Sequence, residues 1–141
     1  MSAPVVIRFP ATREGLAQGF AALRRTLDTE QLDAAPRYHA ELVFEEIVAN
    51  IVKHGARSAS DLDVCVTVEA RPEAIVLTFE DEGVPFDASA HREAPRPRSL
   101  EDEKVGGFGL MLVRRVATSL DYLRTAEGHN RLTVRVARRE S

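Results

Sequence analysis

Apolar residues recur along this chain in two rhythms, one of strands and one of helices. Val5 to Phe9 is a short β-type run closed by Pro10 and predicts a first strand. From Arg13 to about Leu27 the spacing turns helical. Leu16, Phe20, Leu23 and Leu27 recur every three or four residues, Arg13, Glu14, Arg24, Arg25 and Asp28 fall toward water, and Thr12 stands at the N-cap position. After a polar connection, Pro36 opens a second predicted helix that stops at Gly55, a residue suited to the left-handed end of a helix. In that helix Val43, Phe44, Ile47 and Ile51 form the arc that must face a core.

The strand rhythm returns after a polar loop from Ala56 to Asp61. Runs Asp63 to Ala70 and Ala74 to Glu80, joined by Arg71-Pro72-Glu73, predict a hairpin. From Ala88 to Val105 charges of both signs alternate and prolines interrupt, which predicts a long loop that acts as a lid between elements of one domain. A third helix is expected from Leu110 to Leu120, with Leu112, Val113, Val116 and Leu120 available to the core. Tyr122 to Thr125 and Leu132 to Ala137 then predict two strands around the turn Glu127-Gly128-His129-Asn130, with Thr133 facing opposite to Leu132 and Val134.

Composition narrows the class. At 141 residues, 44% hydrophobic and 29% charged, the chain fits one ordinary globular domain, 1–141, with no internal repeat. A formal net charge of -3 gives no basic footprint for nucleic acid, and no apolar run is long enough to span a bilayer. The start Met1-Ser2-Ala3-Pro4 lacks a signal-peptide layout, so a cytoplasmic location is the expectation. The one cysteine, Cys65, excludes an internal disulfide and sits among valines as a packing residue.

Candidate chemistry centres on Glu46 and Asn50. Four residues apart on a helix, they share one side at the edge of the apolar stripe, with His54 one turn further. An amide oxygen can coordinate a hard cation such as Mg2+, and a carboxylate can accept a proton from a hydroxyl. Asp81, in Asp81-Glu82-Gly83-Val84-Pro85, is presented at a strand end, where it can bond an exocyclic amine while Gly83 lets a flat ring approach. Gly106-Gly107-Phe108-Gly109-Leu110 opens the third helix as a phosphate seat would. No Walker-type loop and no His-Glu-x-x-His is present, and His54 lacks partners at metal-ligand spacing.

In this order, Glu46-x-x-x-Asn50, Asp81-x-Gly83-x-Pro85, a charged lid, Gly107-x-Gly109-Leu110 and Asn130-x-Leu132-Thr133, the chain resembles the GHKL (HATPase) ATP-binding domains over nearly its whole length. More narrowly it is similar to the anti-sigma-factor serine/threonine kinases of the SpoIIAB and RsbW kind. The resemblance implies an α+β fold, a two-layer sandwich of Bergerat type whose mixed, mostly antiparallel sheet carries its helices on one face. It implies Glu46 as general base, Asn50 as Mg2+ ligand, Asp81 as adenine anchor and Gly83 as shaper of the adenine pocket. Gly107 and Gly109 would border the triphosphate, with Leu110 of the same motif in the nucleotide-binding set, and Thr133 would assist at adenine. The implied activity uses Mg2+ and ATP to phosphorylate a serine of an anti-anti-sigma protein of STAS type. A sequestered sigma factor and a homodimer are implied as partners, without nucleic acid or membrane. Lid residues Arg96, Arg98 and Lys104 match no individual phosphate contact. The alternative is an ATP-binding module that sequesters a partner without transferring phosphate.

Overall fold

A computed structural model describes residues 3–55, 62–89 and 109–138. The polar loop 56–61, most of the expected lid with Arg96, Arg98 and Lys104, and Gly107 lie outside the described residues, as does the His54 side chain.

Strand β1 (Val5–Pro10) leads into helix α1 (Arg13–Asp28), and helix α2 (Ala34–Gly55) follows. The hairpin β2 (Asp63–Ala70) and β3 (Ala74–Asp81) comes next, then α3 (Gly109–Val116), β4 (Ala117–Arg124) and β5 (Asn130–Ala137). The five strands form one sheet in the order β1-β2-β3-β5-β4. All its pairings are antiparallel, and no parallel pairing occurs among the described strands. The α+β, two-layer expectation therefore holds.

Alternation decides which face is covered. Ile7 and Phe9, Val64, Val66 and Val68, Ile75, Leu77 and Phe79, and Leu132, Val134 and Val136 all point to one side and are buried there. Against them pack Leu23 and Leu27 of α1, Val43, Phe44, Ile47 and Val48 of α2, and Leu110 and Val113 of α3. Phe44 is the centre of this layer, its ring 5.7 Å from that of Phe9 and 6.1 Å from those of Phe20 and Phe79. Cys65 is a free cysteine, half-buried on the opposite face. On that face too the Arg71 guanidinium grips Glu69 through two bonds, of 2.6 and 3.3 Å, and holds its carboxyl below the usual carboxylate range.

Three boundaries differ from expectation, one of them the start of β5, which lies at Asn130 instead of Leu132. Helix α2 begins at Ala34, two residues before Pro36, because the Asp33 carbonyl accepts from the Arg37 N-H and proline costs nothing in a first turn whose amides need no helical acceptor. Helix α3 stops at Val116 instead of running to Leu120, and the chain passes at once into β4. There Leu120 pairs with Val134 and Tyr122 with Leu132, after an irregularity between Ala117 and Ser119. Leu120 fits a helical period equally well. Pairing with β5 satisfies its backbone and decides for strand.

The start of α1 is fixed from three directions. Thr12 Oγ1 accepts from the Gly15 N-H at 2.9 Å, and the Ala11 N-H donates to the Leu62 carbonyl at 2.8 Å. Gly15 lies so close to β1 that a Cβ there would sit 1.8 Å from the Pro10 carbonyl oxygen. Glycine is therefore a packing requirement at this position.

Candidate functional site

Antiparallel register brings three strand ends together at one edge of the sheet. Asp81, the last residue of β3, lies opposite Asn130, the first of β5, and Asn130 lies opposite Arg124, the last of β4. Asp81 and Asn130 are the buried polar residues of the described chain, at 7% and 6% exposure. Each is satisfied by the other and by the loop that follows β3. Asp81 Oδ1 accepts from the Gly83 N-H at 2.8 Å and from Asn130 Nδ2 at 3.1 Å. Both bonds go to the same oxygen, so Oδ2 remains available to a donor in the cavity beside it.

Asn130 ties this corner together. Its Nδ2 also donates to the Val84 carbonyl at 2.8 Å, and its Oδ1 accepts from the Tyr122 hydroxyl at 2.6 Å, Arg124 at 3.1 Å and the Phe86 N-H at 3.2 Å. Arg124 donates in addition to the Gly83 carbonyl at 2.9 Å. The segment from Gly83 to Phe86 is thereby bound to the ends of β4 and β5, and this side of the cavity is held by hydrogen bonds.

That cavity is narrow, about 30 Å³, and mostly apolar. Ile47 and Ile51 of α2, Phe79, Phe86, Tyr122 and Leu132 line it, with Asp81 and Asn130 as polar groups. Asn50 also lines it, and Asn50 lines a second, larger cavity of about 510 Å³ as well. The second one carries charged groups on partly apolar walls. Glu45, Glu46 and Lys53 come from α2, Arg13 and Leu16 from α1, and Gly109 and Leu110 from α3. Asn50 thus stands between an apolar slot with a carboxylate at its end and a roomy chamber of charged groups. Its Nδ2 is buried and finds no hydrogen-bond partner among the described residues. An unpaired buried amide costs about 1–3 kcal/mol, which a ligand bonding to the group offsets.

The chamber brings Glu46 and the glycine-rich helix start into contact. A Cβ on Gly109 would fall 2.0 Å from Glu46 Oε2, so only glycine admits the carboxylate in this position. Glu46 is half-buried there, whereas its neighbour Glu45 lines the same chamber but is exposed. Of the residues singled out in the sequence, Glu46, Asn50, Asp81, Gly109 and Leu110 line the two cavities, and Gly83 is bonded to Asp81 without lining either. Thr133 does not. The alternation of β5 turns Asn130 and Leu132 toward the helices and Thr133 toward the open face, where it pairs with Thr78 and Asp121. Thr133 is therefore corrected from the adenine side of the site, and Asn130 occupies the position beside Asp81.

Tyr122, Arg124 and Arg13 were missed in the sequence, and Asn130, quoted there in the motif Asn130-x-Leu132-Thr133, was given no role. For Asn130 a signal existed, since it is two residues before the inward-facing Leu132, but its proximity to Gly128 reads as turn. Tyr122 and Arg124 depend on the register of β4, which the hydrophobic pattern left ambiguous. Arg13 is far in sequence from the chamber residues of α2 and α3.

Comparison with known proteins gives the class to which this fold belongs. Residues 9–136 match the histidine kinase-like ATPase domain, and the chain belongs to that family. It is 30% identical over 105 residues to the serine/threonine-protein kinase BtrW of Bordetella bronchiseptica, a match covering 74% of this chain and 73% of that protein. Among solved structures it resembles the RsbU and RsbW domains of Rv1364c from Mycobacterium tuberculosis, with a TM-score of 0.63 and 16% identity. That match covers 97% of this chain and 33% of the longer one. The structure of the SiaB-SiaC complex from Pseudomonas aeruginosa gives a TM-score of 0.62 at 15% identity, covering 94% of this chain and 89% of that one. These likenesses carry the fold. ATP use and a kinase-type lineage follow from the family and from BtrW.

Proposed function

We propose that this protein is a regulatory serine/threonine kinase that binds ATP with Mg2+ and phosphorylates a serine on a partner of STAS type, and that it also sequesters a sigma factor. The observation that carries this reading is the pair of cavities meeting at Asn50. The apolar slot suits a purine, with Asp81 Oδ2 accepting from its exocyclic amine, and the larger chamber suits the phosphates. The slot is smaller than a purine, so binding requires it to widen.

Within the chamber Glu46 accepts the proton of the acceptor hydroxyl, and Gly109 keeps its carboxylate at the helix start. Asn50 is the residue that would hold Mg2+ through its amide oxygen. No cluster of three or more acidic, His or Cys ligands occurs among the described residues, which fits an ion bound mainly by substrate phosphates and one or two protein oxygens. When bound, the ion neutralises phosphate charge, and catalysis rests on positioning and electrostatics. Glu46 in the chamber favours a kinase over a module that only sequesters, since sequestration has no use for a base.

Calorimetry with Mg2+ and ATP on wild type and Asp81→Asn tests the site. The expected result is binding by wild type and a loss of about tenfold or more in the variant, the size of a tight charge-assisted contact. A folded wild type that binds no ATP refutes the reading. Glu46→Gln then separates the two functions: it should bind ATP normally and lose transfer by about 10²-fold or more. Full transfer by this variant would leave Glu46 without the assigned role.

A further inference from the structure

We infer that Arg13, on α1, is a phosphate-contacting residue of this site, supplying a guanidinium to the terminal phosphoryl group of the bound nucleotide. The inference rests on the nucleotide-binding reading above and adds a residue that none of the sequence motifs contains. Arg13 lines the larger chamber together with Glu46, Asn50 and Gly109, and it does not line the apolar slot. With the base in the slot and Asn50 between the cavities, the part of the nucleotide farthest from the base enters the chamber that Arg13 walls.

Three features fit this role. Arg13 is exposed and has no ion-pair partner among the described residues, so its charge is not already committed to a carboxylate. It is the first residue of α1, and the backbone there is fixed by the Thr12 cap, by the Ala11 bond to Leu62 and by the packing of Gly15 on Pro10. A cation on a fixed backbone loses less freedom on binding than one on a loop. Finally, the chamber also holds Glu45 and Glu46, whose charges repel a triphosphate. A guanidinium offsets that repulsion, and its planar fork suits phosphate oxygens better than an ammonium does.

The test uses two nucleotides that differ in the terminal phosphate: ADP and the ATP analogue with nitrogen bridging the β and γ phosphorus atoms. Their affinities are measured with Mg2+ by calorimetry on the full chain as wild type, Arg13→Gln and Arg13→Lys, with thermal unfolding as a check on folding. Arg13→Gln should weaken the analogue about tenfold and ADP less than about twofold, and Arg13→Lys should fall between wild type and Arg13→Gln. Equal effects on both nucleotides, or none on either, overturn the assignment while leaving the nucleotide site intact. Wild type that binds neither nucleotide refutes the underlying reading instead.

Discussion

Replacing Asn130 by Ala removes five hydrogen bonds from a residue that is 6% exposed. They are not of equal worth. The bond to Asp81 is buried and meets a carboxylate, so it contributes about 1.5–3 kcal/mol, while the Tyr122 bond contributes about 1 kcal/mol. Val84, Phe86 and Arg124 can turn to water and lose little. Asp81 keeps its bond from Gly83, which limits the penalty of a half-satisfied carboxylate. The net cost is about 3 kcal/mol, a large part of the roughly 5–15 kcal/mol that holds a domain folded. For a chain of this length each kcal/mol shifts Tm by about 3 °C, so Asn130→Ala should lower Tm by about 10 °C. Tyr122→Phe alone should lower it by about 3 °C, and should cost almost nothing further in the Asn130→Ala background, because its partner is already gone. Calorimetric or fluorescence melting of the four proteins measures this. Additive losses, or a shift below about 3 °C for Asn130→Ala, would refute the network as the fastener of this corner.

Two glycines give predictions of opposite character. Gly15→Ala gains about 1 kcal/mol of helix propensity, yet its Cβ meets the Pro10 carbonyl at 1.8 Å, a backbone atom that cannot swing away. Overpacking of that kind costs about 1–3 kcal/mol or more, so chemical denaturation should show a net loss, and a gain would refute the close packing of α1 on β1. Gly109→Ala meets only the tip of a flexible side chain, Glu46 Oε2, so Tm should move less than about 3 °C. Phosphoryl transfer should nevertheless fall by about 10²-fold, since the carboxylate is pushed from its position. Transfer at the wild-type rate would show that Glu46 need not sit against the helix start.

The sequence by itself determined the elements and most of the motif positions. Periods of two and of 3.6 fix which residues point inward, and this is why β1, α1 and the β2-β3 hairpin fall within a residue of where their pattern puts them. The Glu46 and Asn50 pair was legible because i and i+4 on one helix are neighbours whatever the rest of the chain does. Only the tertiary structure decided what lies across from them. Register between β3, β4 and β5 set Asn130, not Thr133, beside Asp81, and pairing with β5 turned Leu120 from helix to strand. Packing of α1 and α3 around α2 put Arg13 and Gly109 in the chamber with Glu46. Contacts between residues so distant along the chain depend on which surfaces exclude water from one another, and no local period encodes that choice.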